Sequence, residues 1–190
     1  NLPAISVVGS IDDLFSSARG VIVHPSSSGA AWEREVTAEL ILPDGDPLIL
    51  KKSLGKKGGE NIKKFLQRGG RLLCVSGSAY VPAKTVHLHN KTYNFPLALV
   101  NCTAEWWEAK GPESGQIEIE FSKDSLGYRK GTFLDQGGLG FSGGVGYSVI
   151  GKFPDQTAAI VEKRAGKGKI ILLGVNPMNL KKKVPRRRLR

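Results

Sequence analysis

The stretch Gly69-Gly70-Arg71-Leu72-Leu73-Cys74-Val75-Ser76-Gly77-Ser78-Ala79-Tyr80-Val81 decides how the chain is read. Leu72-Leu73-Cys74-Val75 is an unbroken apolar run of strand length with turn residues on both sides. That pattern belongs to a strand buried on both faces, as in parallel sheets. Just upstream, residues 59–68 put Ile62, Phe65 and Leu66 at helical spacing, with Lys63, Lys64, Gln67 and Arg68 facing elsewhere. Gly69-Gly70 stops that helix, as a C-terminal glycine in the left-handed region does. Downstream, Ser76-Gly77-Ser78 breaks the strand into a tight turn of small residues with a hydroxyl at its apex. Helix, Gly-Gly, buried strand and small-residue turn, in this order, make the layout of a nucleophile elbow.

Working outward, Ile5 to Val8 reads as a short strand, and Ser10 caps a short helix over residues 11–18 with Asp12 and Asp13 in its first turn. Val21 to His24 is a further apolar strand, followed by the loop Pro25-Ser26-Ser27-Ser28-Gly29. Residues 31–40 have helical spacing through Trp32, Val36 and Leu40, although 39–42 reads equally well as strand. Pro43-Asp44-Gly45-Asp46-Pro47 is a turn by composition, with Leu48-Ile49-Leu50 pairing back across it. In the second half strands dominate. Residues 85–89, 97–102, 116–121, 145–150, 157–163 and 169–175 are apolar or alternating, and residues 127–146 are rich in glycine and aromatics. The expectation is one α/β domain over residues 1–178: a flavodoxin-like, mostly parallel sheet flanked by helices, with added antiparallel strands in the second half. Residues 72–75, 21–24 and 169–175 are its expected central strands.

The chain has 190 residues, enough for one sizeable core, and no apolar run long enough for a membrane-spanning helix. No membrane partner is expected, and no charged start followed by an apolar run reads as a signal peptide. Cys74 and Cys102 sit in apolar runs and read as buried free thiols. The net charge of +11 is unevenly placed. Residues 179–190 form a basic tail, and its Lys181, Lys182, Lys183, Arg186, Arg187, Arg188 and Arg190 are seven of the 28 basic residues. Removing these seven charges takes +11 to +4. A second basic group is Lys51, Lys52, Lys56 and Lys57. Such runs are either solvated surface or contacts to a polyanion, where each neutralised phosphate releases counterions.

The order of these motifs resembles the class I glutamine amidotransferase-like fold, and within it the N-terminal domain of biotin-protein ligases. There a helix ends in Gly-Gly and the next strand runs into Gly-x-Cys-x-Gly-Ala-Tyr. On this chain Ser76 takes the position of the nucleophilic Cys, with Ala79-Tyr80 following. The resemblance continues at Ala158 to Val161 and Gly166 to Met178, which look like the closing strand pair that supplies the catalytic His and Glu. Here those positions hold Asn176 and Met178. A weaker match is Val21 to Ser27, where the family has a strand followed by Pro-Gly-Gly.

Acyl transfer needs a nucleophile, a base and donors for the oxyanion. Ser76 is an unactivated hydroxyl. The amide of Asn176 takes up no proton at neutral pH, and Met178 cannot orient a histidine. Ser26-Ser27 replaces the Gly-Gly expected to leave backbone N–H groups open. His24, ending a strand expected beside the elbow, is the one rescue base for Ser76. His87 and His89, at alternate positions of one strand, lack a third metal ligand. The run 137–146 lacks the Gly-Lys-[Ser/Thr] of a phosphate loop and suits close backbone packing better. Trp106-Trp107, with Tyr93 and Phe95, suit core or partner packing better than base stacking.

The sequence therefore predicts a catalytically inactive binding or structural module without cofactor or metal. The expected partners are RNA or a ribonucleoprotein surface and other proteins. The expected setting is an intracellular RNA-containing assembly such as an organellar ribosome, the mitochondrion included. The competing readings are an accessory domain of a biotin-protein ligase and a hydrolase built on Ser76 with His24.

Overall fold

A computed structural model describes residues 21–25, 36–95, 97–108, 116–122, 130–133 and 137–176. Strand β1 (Val21–Pro25) pairs antiparallel with β2 (Val36–Leu42). Helix α1 (Pro47–Gln67) follows, then β3 (Arg71–Val75) and the 3-10 helix Ser76–Tyr80. The remaining strands are β4 (Ala83–Leu88), β5 (Lys91–Asn94), β6 (Val100–Glu108), β7 (Ile117–Phe121), β8 (Lys130–Phe133), β9 (Gly137–Ser142), β10 (Ser148–Lys152), β11 (Ala158–Ala165) and β12 (Gly168–Leu173). They form one mixed sheet in the order β1-β2-β3-β12-β11-β9-β6-β4-β5, with β10, β7 and β8 branching from β11.

Helix α1 is longer than its apolar spacing predicts, and residues 48–50 are helical rather than paired back as a strand. Asp46 is the reason. Its Oδ1 accepts from the Leu48 and Ile49 N–H groups at 2.7 and 3.1 Å, and Pro47 occupies the first helical position, where a missing N–H is no loss. Leu50, Leu54, Ile62 and Leu66 are buried on the sheet side. Gly55, at φ 54° and ψ −166°, breaks the helical path midway, in a backbone region essentially reserved for glycine. At the far end Gly69, at φ 99°, turns the chain out, and the Gly70 N–H reaches back to the Phe65 carbonyl at 3.1 Å.

Strand β3 is flanked in parallel by β2 and β12, with Leu72 opposite both Leu40 and Ile170. The alternation along β12 assigns two faces. Ile170 and Leu172 join the core that includes Leu50, Ile62 and Leu66 of α1. Ile171 and Leu173 pack on the opposite side against a second cluster of Ile117, Ile119, Phe153, Ala159, Ile160 and Val175.

That second cluster corrects the flavodoxin-like expectation. Among the described residues there is one α-helix, and three of the eleven strand pairings are parallel. The layer opposite α1 is made by strands, with Ile117 and Ile119 of β7 buried there. Tight turns account for the antiparallel course. His89 and Asn90 take φ 50° and 60° between β4 and β5, and Gly166 takes φ 62° between β11 and β12. Residues 21–24 also differ from expectation: β1 is an end strand, antiparallel and one strand removed from β3. Of residues 31–40, those from Val36 onward are strand. The expected strand at 5–8, the helix at 11–18 and the basic tail lie outside the described residues.

Candidate functional site

Ser76 stands where β3 ends, at φ 49°, a conformation that serine adopts only under constraint. The surrounding bonds supply the constraint. The Ser78 Oγ, fully buried, accepts from the Val75 N–H at 2.8 Å and donates to the Leu42 carbonyl at 2.7 Å. The Gly77 N–H donates to Asp44 Oδ1 at 2.8 Å. The turn after β3 is thus bolted to the end of β2 and to the loop that follows it. Gly77 is required there, because a Cβ would lie 2.1 Å from the Gly45 carbonyl oxygen.

This geometry has a chemical consequence. In an acyl-transfer elbow the N–H of the residue after the nucleophile stabilises the oxyanion. Here that N–H already serves the Asp44 carboxylate, whose negative charge opposes a developing oxyanion at the same place. His24 is opposite Thr37, while Leu42 is opposite Cys74. The register therefore separates His24 from Ser76 by seven residues along the strands, about 23 Å. Asn176 follows β12 on the elbow side of the sheet, half-buried, and it cannot act as a base. Met178 and the loop Ser26-Ser27 lie outside the described residues. Tyr80, just past the elbow, is buried, and its hydroxyl is pushed up to about 12 by burial and, secondarily, by the Glu105 charge. Both free thiols are buried. Burial pushes Cys74 far up, and it pushes Cys102 up to about 12 despite the lowering influence of Lys163.

The purified protein is expected to release no ammonia from glutamine and to leave an activated ester intact. Turnover that disappears in Ser76→Ala would mean that the elbow is catalytic after all.

His87 and His89 do not share a strand face. His87 Nδ1 lies 3.3 Å from Glu105 Oε2, and His89 sits in the turn. The glycines of β9 serve close packing: a Cβ on Gly138 would lie 2.7 Å from the Gly174 carbonyl oxygen. The two tryptophans diverge. Trp107 stacks on Phe153, ring centroids 3.9 Å apart, and its Nε1 donates to Asp155 Oδ2 at 2.8 Å. Desolvation raises the Asp155 carboxyl, but the bonds from Trp107 and Thr157 outweigh it and hold the group below its ordinary value. Trp106 is 56% exposed, lying against Gly137.

The predicted basic residues of the second group all fall on α1, which separates them into two sets. Lys51, Lys52 and Lys56, joined by Lys63, line a groove between α1 and the segment containing Phe95 and Leu97. Lys57 does not line it. With Lys64 and Arg68 it forms an exposed outer ridge, the three being seven and four residues apart. Lys167, also exposed, is set beside the end of this ridge, its Cβ 4.0 Å from the point where a Cβ on Gly69 would be. Among the described residues none of these four has an ion-pair partner, whereas Arg71 and Lys169 are matched by Glu39 and Glu162. Sequence reading missed Lys167 and the groove. The Asp46-Pro47 start signal, which extends the helix, would have aligned residues 51, 52, 56 and 63.

No protein-family model matches the chain, and no curated protein matches it. Among solved structures it is similar to a β-galactosidase from Bacillus circulans sp. alkalophilus, at 15% identity and a TM-score of 0.46, covering 66% of this chain and 18% of that one. It is also similar to the cytoplasmic protein STM1381 from Salmonella typhimurium LT2, at 13% identity and a TM-score of 0.49, covering 73% and 60%. A third is the mmIFT52 N-terminal domain, at 16% identity and a TM-score of 0.44, covering 67% and 63%. The chain spans less than a fifth of the β-galactosidase and less than two thirds of the other two. At these scores none of them bears on what this chain does. None is a glutamine amidotransferase or a biotin-protein ligase. The strand-built layer opposite α1, in place of a helix-flanked sheet, overturns the resemblance to that family. No helix among the described residues is long and apolar enough to cross a membrane.

Proposed function

We propose that this protein is a non-catalytic binding module that holds a polyanion, the RNA of a ribonucleoprotein assembly such as an organellar ribosome. The outer ridge of α1 and the basic tail are the contact surfaces. The observation that carries this reading is the ridge of Lys57, Lys64 and Arg68, extended by Lys167, exposed and without carboxylate partners among the described residues. Phosphates are the natural counter-charge for such a row, and release of condensed counterions drives the association. The occupied Gly77 N–H supports the non-catalytic half of the reading.

The tail adds charge. Residues 181–190 carry seven basic side chains but offer only Val184 and Leu189 for burial, with Pro185 interrupting any helix. If each cation met one phosphate, the tail alone would contribute a slope of about −5 to −6 in log K against log salt, at roughly 0.7–0.9 per contact. Fluorescence anisotropy with a labelled RNA at several salt concentrations measures this. Deleting residues 181–190 is expected to weaken binding and flatten the slope while leaving the thermal midpoint unchanged. Lys57→Glu with Lys64→Glu weakens it further. A deletion that lowers the midpoint by many degrees without touching RNA affinity makes the tail part of the fold, and RNA affinity that also survives the ridge pair overturns the reading.

A further inference from the structure

The groove beside the ridge has a different character from the ridge itself. It encloses about 770 Å3, within the range of small-ligand pockets and unlike a surface that tracks a nucleic-acid backbone. Its floor is apolar: Leu54, Val81, Phe95 and Leu97 line it and are all buried. Its charged side carries Lys51, Lys52, Lys56 and Lys63 against one carboxylate, Glu60. Four lysines against a single carboxylate give this side of the groove an excess of positive charge, which an anion complements. Lys51 illustrates the arrangement, with its Nζ 4.7 Å from the Phe95 ring centroid. The ring face holds the cation over the floor, where the head of a ligand can meet it.

The helix side of the groove is kept bare. Gly55 and Gly59 both line it, and a Cβ on Gly59 would already stand 3.3 Å from Leu97 Cδ1.

We infer that this groove binds an amphipathic anion, a small molecule with a carboxylate or phosphate head and an apolar body of acyl type. The head lies on the lysine side of the groove, and the body lies on Leu54, Val81, Phe95 and Leu97. A neutral apolar ligand leaves the cations uncompensated, and a bare anion leaves the floor wet. The site is independent of the polyanion reading, which rests on the other ridge of the helix.

The test is calorimetric titration of the full chain with decanoate, decyl phosphate, decanol and inorganic phosphate. Decanoate and decyl phosphate are expected to bind, and decanol and inorganic phosphate to bind at least tenfold more weakly. The tighter of the two anions identifies the head as carboxylate or phosphate. Lys56→Glu with Lys63→Glu is expected to weaken the anion at least tenfold, and Leu48→Trp, which fills the groove from its half-buried rim, to abolish binding. Lys57→Glu with Lys64→Glu is expected to leave this binding intact. Thermal midpoints of the variants check that each is folded. Decanol binding as tightly as decanoate, no binding of either anion, or binding unchanged in both groove variants overturns the inference. RNA affinity in Leu48→Trp separates the two sites, because its survival keeps the polyanion reading whatever becomes of the groove.

Discussion

Gly77→Ala is expected to destabilise the protein by about 3 kcal/mol or more, the upper range for forcing atoms into a filled site. For a chain of this length that is a fall of about 6–12 °C in thermal midpoint. The new methyl group would lie 2.1 Å from the Gly45 carbonyl oxygen and 3.1 Å from Asp44 Oδ1. The first of these is backbone, so relief requires the loop after β2 to move away from the elbow. That movement strains the Gly77 N–H bond to Asp44 and the Ser78 Oγ bond to the Leu42 carbonyl together. The neighbouring Ser76→Gly is the control. It removes a Cβ from a residue at φ 49° and is expected to leave the midpoint unchanged or raise it. Differential scanning calorimetry of the pair decides whether the elbow is a structural joint. Equal and small effects would mean that it is not.

Phe153→Ala is expected to cost about 3–5 kcal/mol, the range for emptying a buried aromatic site. Phe153 has no exposed surface, lies in the cluster with Ile117, Ile119 and Ile160, and stacks on Trp107 with the two ring planes 3° apart. The loss should appear as one cooperative transition at lower denaturant concentration, with altered Trp107 emission in the native state. A wild-type midpoint in Phe153→Ala would mean that the strand layer opposite α1 adds nothing to the fold. Such an outcome would reopen the question of what covers Ile171 and Leu173.

These two sites also measure how far the sequence could be read. The buried strand at 72–75 was legible because every residue in it is apolar, which only a strand covered on both faces permits. The turn at Ser76-Gly77-Ser78 and the stop at Gly69 were legible because left-handed and crowded backbone positions select small residues. What covers the second face of β12 was not legible. A continuous apolar run states that both sides are covered but carries no information on whether helices or strands do it. The error over residues 48–50 had a local cause. Leu48-Ile49-Leu50 is ambiguous by period alone, and the deciding signal was the Asp46 side chain and Pro47 just before it.

The candidate site divides in the same way. Lys51, Lys52, Lys56 and Lys57 could be singled out from charge, but their division into a groove and a ridge depends on the course of α1. The Asp44–Gly77 bond joins residues 33 positions apart, and no local pattern reports it. Nor does any report the register that places His24 about 23 Å along the strands from Ser76. The sequence by itself determined which segments are buried, where the chain must turn and where positive charge accumulates. These follow from each residue's own hydrophobicity, backbone freedom and ionisation. Only the tertiary structure decided which strands are neighbours, in which direction they run and which groups meet at the elbow and the groove. Those depend on pairings between distant segments, whose free energy is set by mutual fit rather than by either partner alone.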